Sequence, residues 1–144
     1  MHPFPHQYTV QAAAQPEGEV LVSAAGLATL ETAPPAEFDG PGDRWSPETL
    51  LCAALADCFV LSFRAVARAS RLEWSALDCS VRGKLDRVDN RTAFTEIDVD
   101  ATLHVPPGTD AERATRLLEK AEHVCLISNS LVATRRLNPT VVVG

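Results

Sequence analysis

The sequence is short of basic residues and lacks the motifs of common nucleotide sites. It has 13 Lys and Arg against 19 Asp and Glu, which gives a formal net charge of -6. Phosphate contacts require a basic face, so this balance argues against a nucleic acid or an anionic membrane as partner. A GxGxxG or GxxxxGK[ST] motif does not occur, and a nucleotide site therefore has no support.

Metal-binding and targeting motifs are absent as well. Without CxxC, HExxH or paired Cys/His spacing, a structural zinc site is not expected. The start, "MHPFPHQYTV", has no basic segment followed by an apolar one, so we expect no signal peptide. The apolar run from Leu50 to Val66 is interrupted by Asp57 and Arg64 and is predicted to be too short to span a bilayer. These absences predict a cytoplasmic protein whose cysteines are reduced.

The sequence does contain enough apolar residues to form one hydrophobic core. Hydrophobic residues make up 46% of the 144 residues, which is typical of a globular domain. Two domains of half this length would each have a thin core. The sequence therefore predicts a single domain, residues 1–144.

Alternation and turn residues predict an α+β fold. A turn is expected near Gly18, and the Pro- and Gly-rich segment 32–45 is expected to be loop. The predicted strands are two or three within residues 7–32, a hairpin at 76–88 and 92–105, and a closing strand at 137–144.

Two helices are predicted between these strands. In the first, Ser46 can cap and Pro47 suits the first helical position, and the helix runs to about Ser70. It is apolar nearly all round, which predicts burial on several sides.

The second helix is predicted to open with a capping box of Thr109 and Glu112 and to end near Val124. Its predicted apolar stripe consists of Leu117, Leu118, Ala121, Val124 and Cys125.

Four cysteines are the candidates for chemistry. Cys79, in a strand, and Cys52 are expected to be packing residues, because most buried cysteines act as small hydrophobes. Cys58 lies six residues after Cys52 and therefore on a different side of the helix. Cys58 and Cys125 occupy apolar faces of the two long helices. If those faces meet, the expected chemistry is a peroxidatic thiol with a resolving partner.

Two stretches resemble motifs of the OsmC/Ohr family, the osmotically inducible protein C and organic hydroperoxide resistance proteins. They are "SPETLLCAALADCF" at 46–59 and "HVCLISNSL" at 123–131. The family motifs are a Pro-Glu that opens a helix ten residues ahead of a Cys-Phe, and a Cys followed by x-x-Ser-Asn. The matching residues here are Pro47, Glu48, Cys58 and Phe59 for the first motif, and Cys125, Ser128 and Asn129 for the second.

This resemblance implies an OsmC-like fold that forms an intertwined homodimer with active sites at its interface. The implied activity is thiol-dependent reduction of hydroperoxides, with organic peroxides preferred in the Ohr branch. Cys58 would be the peroxidatic thiolate and Cys125 the resolving thiol. An external dithiol, a lipoyl group on a protein in the Ohr branch, would reduce the resulting disulfide. No metal or flavin cofactor is implied.

The resemblance also implies an arginine that is held by Glu48 and activates Cys58. Ohr proteins carry it in the N-terminal hairpin, which here reads "AAAQPEGEVLV" and has no arginine. Arg44 is the predicted substitute, and the alternative is a surface arginine paired with Asp43. Glu48 and Cys58 are ten residues apart on one helix, about 15 Å, so a second chain is expected to complete the site.

Three alternatives remain open. Asp57 beside Cys58 would raise the pKa of the thiol if its carboxylate pointed that way, unless it holds an arginine instead. His123 could act as a base with Cys58 in acyl transfer, or simply be a helix-end residue. Finally, the missing N-terminal arginine and Asp57 favour a non-catalytic dimeric protein that binds a small apolar ligand at the interface.

Overall fold

The computed structural model describes residues 1–144 and divides them into two compact units, 1–51 and 52–144. Each unit contains a three-stranded sheet. The longest helix, α1 (Pro47–Ala69), begins in the first unit and ends in the second. Two sheets and three helices confirm the α+β prediction. That residues 1–144 form one domain stays a prediction.

The first unit holds a small antiparallel sheet in the order β1-β2-β3. Its strands are β1 (Gln11–Ala13), β2 (Val20–Ser23) and β3 (Leu30–Thr32). Gly18 has φ +94° between the first two, which explains the predicted turn because few other residues adopt that conformation. The predicted loop after β3 contains a single 3-10 turn, at Ala36–Phe38. The buried residues of this unit are Thr32, Ala33 and Ser46.

Helix α1 begins as predicted. The backbone N–H of Thr49 donates to Ser46 Oγ over 3.1 Å, and Pro47 is the first helical residue. The prediction of burial on several sides is wrong within the chain, because only one stripe is buried and Leu61, off that stripe, is 51% exposed. The buried residues are Leu55, Phe59, Phe63, Val66 and Ala67.

The length of α1 corrects a second expectation. At 23 residues, it is long and apolar enough to cross a membrane, whereas the sequence had suggested too short a run. The core helix of a soluble protein meets the same criterion.

The second unit is built on a long hairpin of β4 (Ala76–Val88) and β5 (Arg91–Val105). Asp89 and Asn90 connect the strands with φ of 52° and 61°, the left-handed pair that tight hairpin turns require. The third strand, β6 (Thr134–Val143), pairs with β5 in parallel.

A parallel pair needs a crossover, and two helices supply it. They are α2 (Ala111–Val124) and the short α3 (Leu126–Asn129), which the sequence analysis did not predict. The core of this unit combines one face of β5 with buried stripes of α1 and α2. Its largest members are Phe59, Phe63, Leu55, Ile97, Leu103, Leu118 and Val105.

The predicted start and apolar stripe of α2 need correction. Asp110, not Thr109, is the cap, since its carboxylate Oδ1 accepts from the backbone N–H of Glu112 and Arg113 over 3.0 and 3.2 Å. The Thr109 hydroxyl instead donates to the Pro106 carbonyl in the preceding turn. Val124 is 45% exposed and Leu117 is half-buried, so neither belongs to the buried stripe of α2, which consists of Ala114, Leu118 and Ala121.

The cap at Asp110 yields a stability prediction. Asp110→Ala should lower the free energy of unfolding by about 1 kcal/mol, because two backbone N–H groups lose their acceptor. Asp110→Ser, which keeps an acceptor oxygen, should retain most of that stability. Urea unfolding at neutral pH measures both variants. Equal stability of Asp110→Ala and the unmodified protein would show that the cap contributes nothing.

Candidate thiol site

Cys58 lies in the middle of α1, next to the buried Phe59. Its side chain is half-buried. Ser62, one turn further along the helix, places its hydroxyl 3.9 Å from the Cys58 sulfur. A helix position with i+4 spacing puts both side chains on the same face, so the hydroxyl can donate weakly to a thiolate.

Cys125 occupies the junction between α2 and α3. Its φ of -63° and ψ of 107° are extended, so the residue ends one helix and precedes the next. The side chain is fully buried, and the Ser128 hydroxyl donates to its sulfur over 3.4 Å. The chain thus turns sharply at Cys125. We call residues 125–129 the cysteine turn.

The structure brings Cys58 and the cysteine turn together. The Cys58 sulfur interacts with the Cys125 thiol and with the backbone N–H groups of Leu126 and Ile127. These two N–H groups belong to the first turn of α3, where backbone donors have no partner within the helix. All four cysteines are free. Cys58 and Cys125, the two cysteines that the motifs predicted as a pair, thus interact in the structure.

The surroundings of the two thiols shift their pKa values in opposite directions. For Cys58, burial acts to raise the pKa, but hydrogen bonds from the Ile127 N–H, Cys125, Ser62 and the Leu126 N–H outweigh it, and the net pKa is lowered. Burial raises the pKa of Cys125. Cys58 is therefore the favoured thiolate, and Cys125 keeps its proton and donates it.

The other two cysteines lie in environments that disfavour the thiolate. Burial raises the pKa of Cys52, whose sulfur also accepts a hydrogen bond from the Gly83 backbone. A Cβ at Gly83 would come within 3.0 Å of that sulfur, so the strand can approach the helix here only as glycine. Burial, with the charges of Asp100 and Cys125, raises the pKa of Cys79 to about 11.

Glu48 and Arg44, the other predicted site residues, both lie in the first unit. The guanidinium of Arg44 pairs with Glu19, Glu31 and Asp43 at 3.7, 3.7 and 3.4 Å. Glu48 is not among its ion-pair partners, so the predicted Arg44–Glu48 contact is not made within the chain. The pairing with Asp43 is the one that the alternative expected.

Glu48 has an unusual environment. Its Oε2 atom is buried and has no hydrogen-bond partner. The residue lines a cavity of about 640 Å³ whose walls are otherwise mainly apolar, with Val20, Val22, Phe38 and Leu50 among them. A carboxylate oxygen in such a place is costly unless a cation or a hydrogen-bond donor pairs with it.

Asp57 and His123, for which two roles each were left open, both lie outside the contacts of Cys58. Asp57 is exposed, makes no ion pair, and is not among the groups that shift the pKa of Cys58. His123 is exposed in the last turn of α2 and does not interact with Cys58. The helix-end interpretation of His123 fits this position. No group of three or more His, Cys, Asp or Glu side chains is placed to hold a metal ion.

One cluster beside the site was missed by the sequence analysis. Arg135 of β6 contacts Glu122 of α2 and donates to Asn129 of the cysteine turn. Its sequence signal was an arginine in register with the inward row of a strand that continues with Leu137 and Val141.

The comparisons with known proteins address the family. The sequence model of the family described as OsmC-like protein matches residues 40–138, which include Arg44, Glu48, Cys58 and Cys125. The chain is 28% identical over 100 residues to the uncharacterized protein YmaD of Bacillus subtilis, a match that covers 67% of each protein. It is 31% identical over 88 residues to peroxiredoxin OsmC of Escherichia coli, and that match spans 61% of each.

Solved structures show the same fold at lower identity. An OsmC-like protein of unknown function from Vibrio cholerae superimposes with a TM-score of 0.84 at 14% identity, covering 94% of this chain and 99% of that one. An organic hydroperoxide resistance protein from Elizabethkingia anophelis gives a TM-score of 0.76 at 24% identity, covering 98% and 100%. With the family match over more than half of its length, the chain belongs to the OsmC-like protein family.

Proposed function

We propose that the protein is a thiol-dependent hydroperoxide reductase in which Cys58 attacks the peroxide and Cys125 resolves the product. The observation that carries this proposal is the contact between a thiol of lowered pKa and a second, protonated thiol. A 31% identical relative that is named a peroxiredoxin supports the same chemistry. Hydroperoxide defence is the corresponding role.

The bonds that form and break in the proposed reaction belong to these two side chains, a hydroperoxide and an external dithiol. The Cys58 thiolate attacks the terminal peroxide oxygen, the O–O bond breaks, and the alkoxide takes a proton and leaves as an alcohol. Cys58 is then a sulfenic acid. The Cys125 sulfur attacks the Cys58 sulfur, and the sulfenic oxygen leaves with the Cys125 proton as water. The external dithiol, of which a protein-bound lipoyl group is one form, reduces the disulfide by exchange and becomes oxidised itself.

The lowered pKa of Cys58 and the raised pKa of Cys125 fit this order of steps. Cys58 must be a thiolate before the peroxide arrives, whereas Cys125 reacts only after the sulfenic acid has formed. A protonated Cys125 stabilises the Cys58 thiolate by donating to it and supplies the proton for the departing water. The full burial of Cys125 keeps it from peroxide in solution.

Glu48 and Arg44 are proposed as the remaining residues of the site. The buried Oε2 of Glu48 lacks a partner, and a guanidinium would satisfy it. Arg44 would first have to exchange its present ion pairs. Their carboxylates are 47 to 68% exposed, and exposed pairs contribute about 0–1 kcal/mol each, so the exchange is inexpensive.

A second function is favoured by the apolar cavity. Its volume of about 640 Å³ falls within the range of small-molecule sites, and Glu48 gives it one charged group. A non-catalytic member of the family could bind a small apolar molecule with a cationic end there. The reactivity of Cys58 separates this function from the first.

Replacement of the proposed nucleophile tests the reductase directly. Cys58→Ser should reduce the consumption of cumene hydroperoxide, measured with excess dithiothreitol, to the uncatalysed rate, because a serine hydroxyl is not ionised at neutral pH. Wild-type activity in Cys58→Ser would rule out the mechanism.

Two further cysteine variants are controls for this experiment. Cys79→Ser, which removes a thiol of the same unit that is held protonated, should keep the wild-type rate. Cys125→Ser should form no intramolecular disulfide, and in this assay it should still turn over because dithiothreitol reduces the Cys58 sulfenic acid directly.

The pH dependence of alkylation distinguishes the two functions. The thiolate is the form that is alkylated, so the lowered pKa of Cys58 should place its alkylation midpoint below that of a free cysteine. Cys79 should react only near pH 11. Iodoacetamide labelling, followed peptide by peptide with mass spectrometry, measures each cysteine separately. A Cys58 midpoint above that of free cysteine would favour the binding protein.

We also propose that the protein is a homodimer, because much apolar surface is exposed within one chain. Phe38, Trp45 and Leu61 are each more than half exposed. Burial of such residues against a second copy would stabilise both chains. Light scattering should give twice the chain mass of 15.5 kDa. A mass of one chain at micromolar concentration would contradict the dimer.

A further inference from the structure

Arg135 lies in a row of otherwise uncharged side chains. In β6 the exposed residues alternate with half-buried ones, and the half-buried row begins with Arg135 and continues with Leu137, Pro139 and Val141. The next residue, Arg136, is on the exposed row. A guanidinium in a half-buried row is costly unless it is paired and hydrogen-bonded.

The partners of Arg135 come from both helices of the crossover. Its Nη1 lies 3.4 Å from Glu122 Oε1 at the end of α2 and donates to Asn129 Oδ1 in the cysteine turn over 3.0 Å. The Glu122 side chain is 15% exposed, and its buried Oε1 has no hydrogen bond. Burial raises the pKa of Glu122, and the charges of Arg135 and His123 oppose that rise. The charge of Arg135 therefore favours the carboxylate form of Glu122.

Asn129 completes a closed network around the cysteine turn. Its Nδ2 donates to the His123 carbonyl over 3.2 Å, while its Oδ1 accepts from Arg135. Residues 124–128 lie between these two anchor points. One guanidinium and one amide thus tie Asn129, the last residue of the cysteine turn, to the end of α2 and to β6.

We propose that Arg135 is a positioning residue for Cys58, because its guanidinium joins α2 to the cysteine turn and so fixes the donors that contact the Cys58 sulfur. This inference rests on the proposed role of Cys58 as the reacting thiolate. Arg135 contacts neither thiol and acts only through the backbone of the turn. A planar guanidinium can meet a carboxylate and an amide oxygen together, which a lysine ammonium does less well.

The test is the pH midpoint of Cys58 alkylation in Arg135→Gln. Loosening the turn weakens the donors of Ile127 and Leu126, and the midpoint should rise by about half a unit to one unit, as expected for loss of one hydrogen bond to a thiolate. Cys125, the titratable group in contact with Cys58, is kept in all variants. Arg135→Lys should give an intermediate midpoint.

Arg136→Gln is the matched control. It removes the same charge from the adjacent residue of the same strand, where the guanidinium pairs with Asp98 at 3.6 Å on the exposed face. Its Cys58 midpoint should equal that of the wild type. Equal midpoints for folded Arg135→Gln and Arg136→Gln would overturn the inference.

Asn129→Ala keeps the test decisive if Arg135→Gln does not fold. Asn129 is exposed, and its replacement cuts the link between Arg135 and the turn. The Cys58 midpoint should rise as in Arg135→Gln, and an unchanged midpoint would again overturn the inference. Alkylation does not require turnover. A wild-type protein with a reactive Cys58 and no hydroperoxide consumption would therefore refute the proposed function alone.

Discussion

Hydrogen bonds from the cysteine turn to the Cys58 sulfur are the interaction on which the candidate site depends. Cys58 is far from the start of its own helix, and the donors come from Cys125 and the first backbone N–H groups of α3. Their position depends on the crossover that returns the chain from β5 to β6. The parallel pairing of β6 with β5 brings Arg135 beside the same turn. The sheet thus fixes the turn, and the turn lowers the pKa of one thiol.

Local signals predicted much of the fold. The cap at Ser46, the Asp89–Asn90 turn and the alternation along β5 each depend on a few neighbouring residues, and the structure has all three. The start of α2 was misassigned because Thr109 and Asp110 are both good caps, and the choice depends on how the chain leaves the turn at Pro106. The parallel direction of β6 is not a local property either, since it follows from the length of the crossover.

The sequence was enough to predict which residues form the site, but not which interactions they make. The spacing around Cys58 and Cys125 marks two motifs, and it led to the pair that the structure brings into contact. The family resemblance implied a side-chain cation for Cys58, whereas the strongest lowering of its pKa within the chain comes from the Ile127 backbone N–H. Every residue except proline carries such a donor, so no residue type in the sequence indicates which N–H will contact the thiol. Arg135 did leave a signal, a charge on an apolar row.

The two units differ in how much of their apolar surface and how many of their polar groups a single chain buries or pairs. The second unit buries phenylalanines, leucines and most of one sheet face, whereas the first buries only Thr32, Ala33 and Ser46 and leaves Phe38 exposed. Three short strands without a core are marginal in water. The first unit also contains Glu48, whose buried oxygen lacks a partner. A second copy would cover apolar surface and could bring a cation to Glu48. The proposed dimer would therefore stabilise the first unit and pair the buried carboxylate.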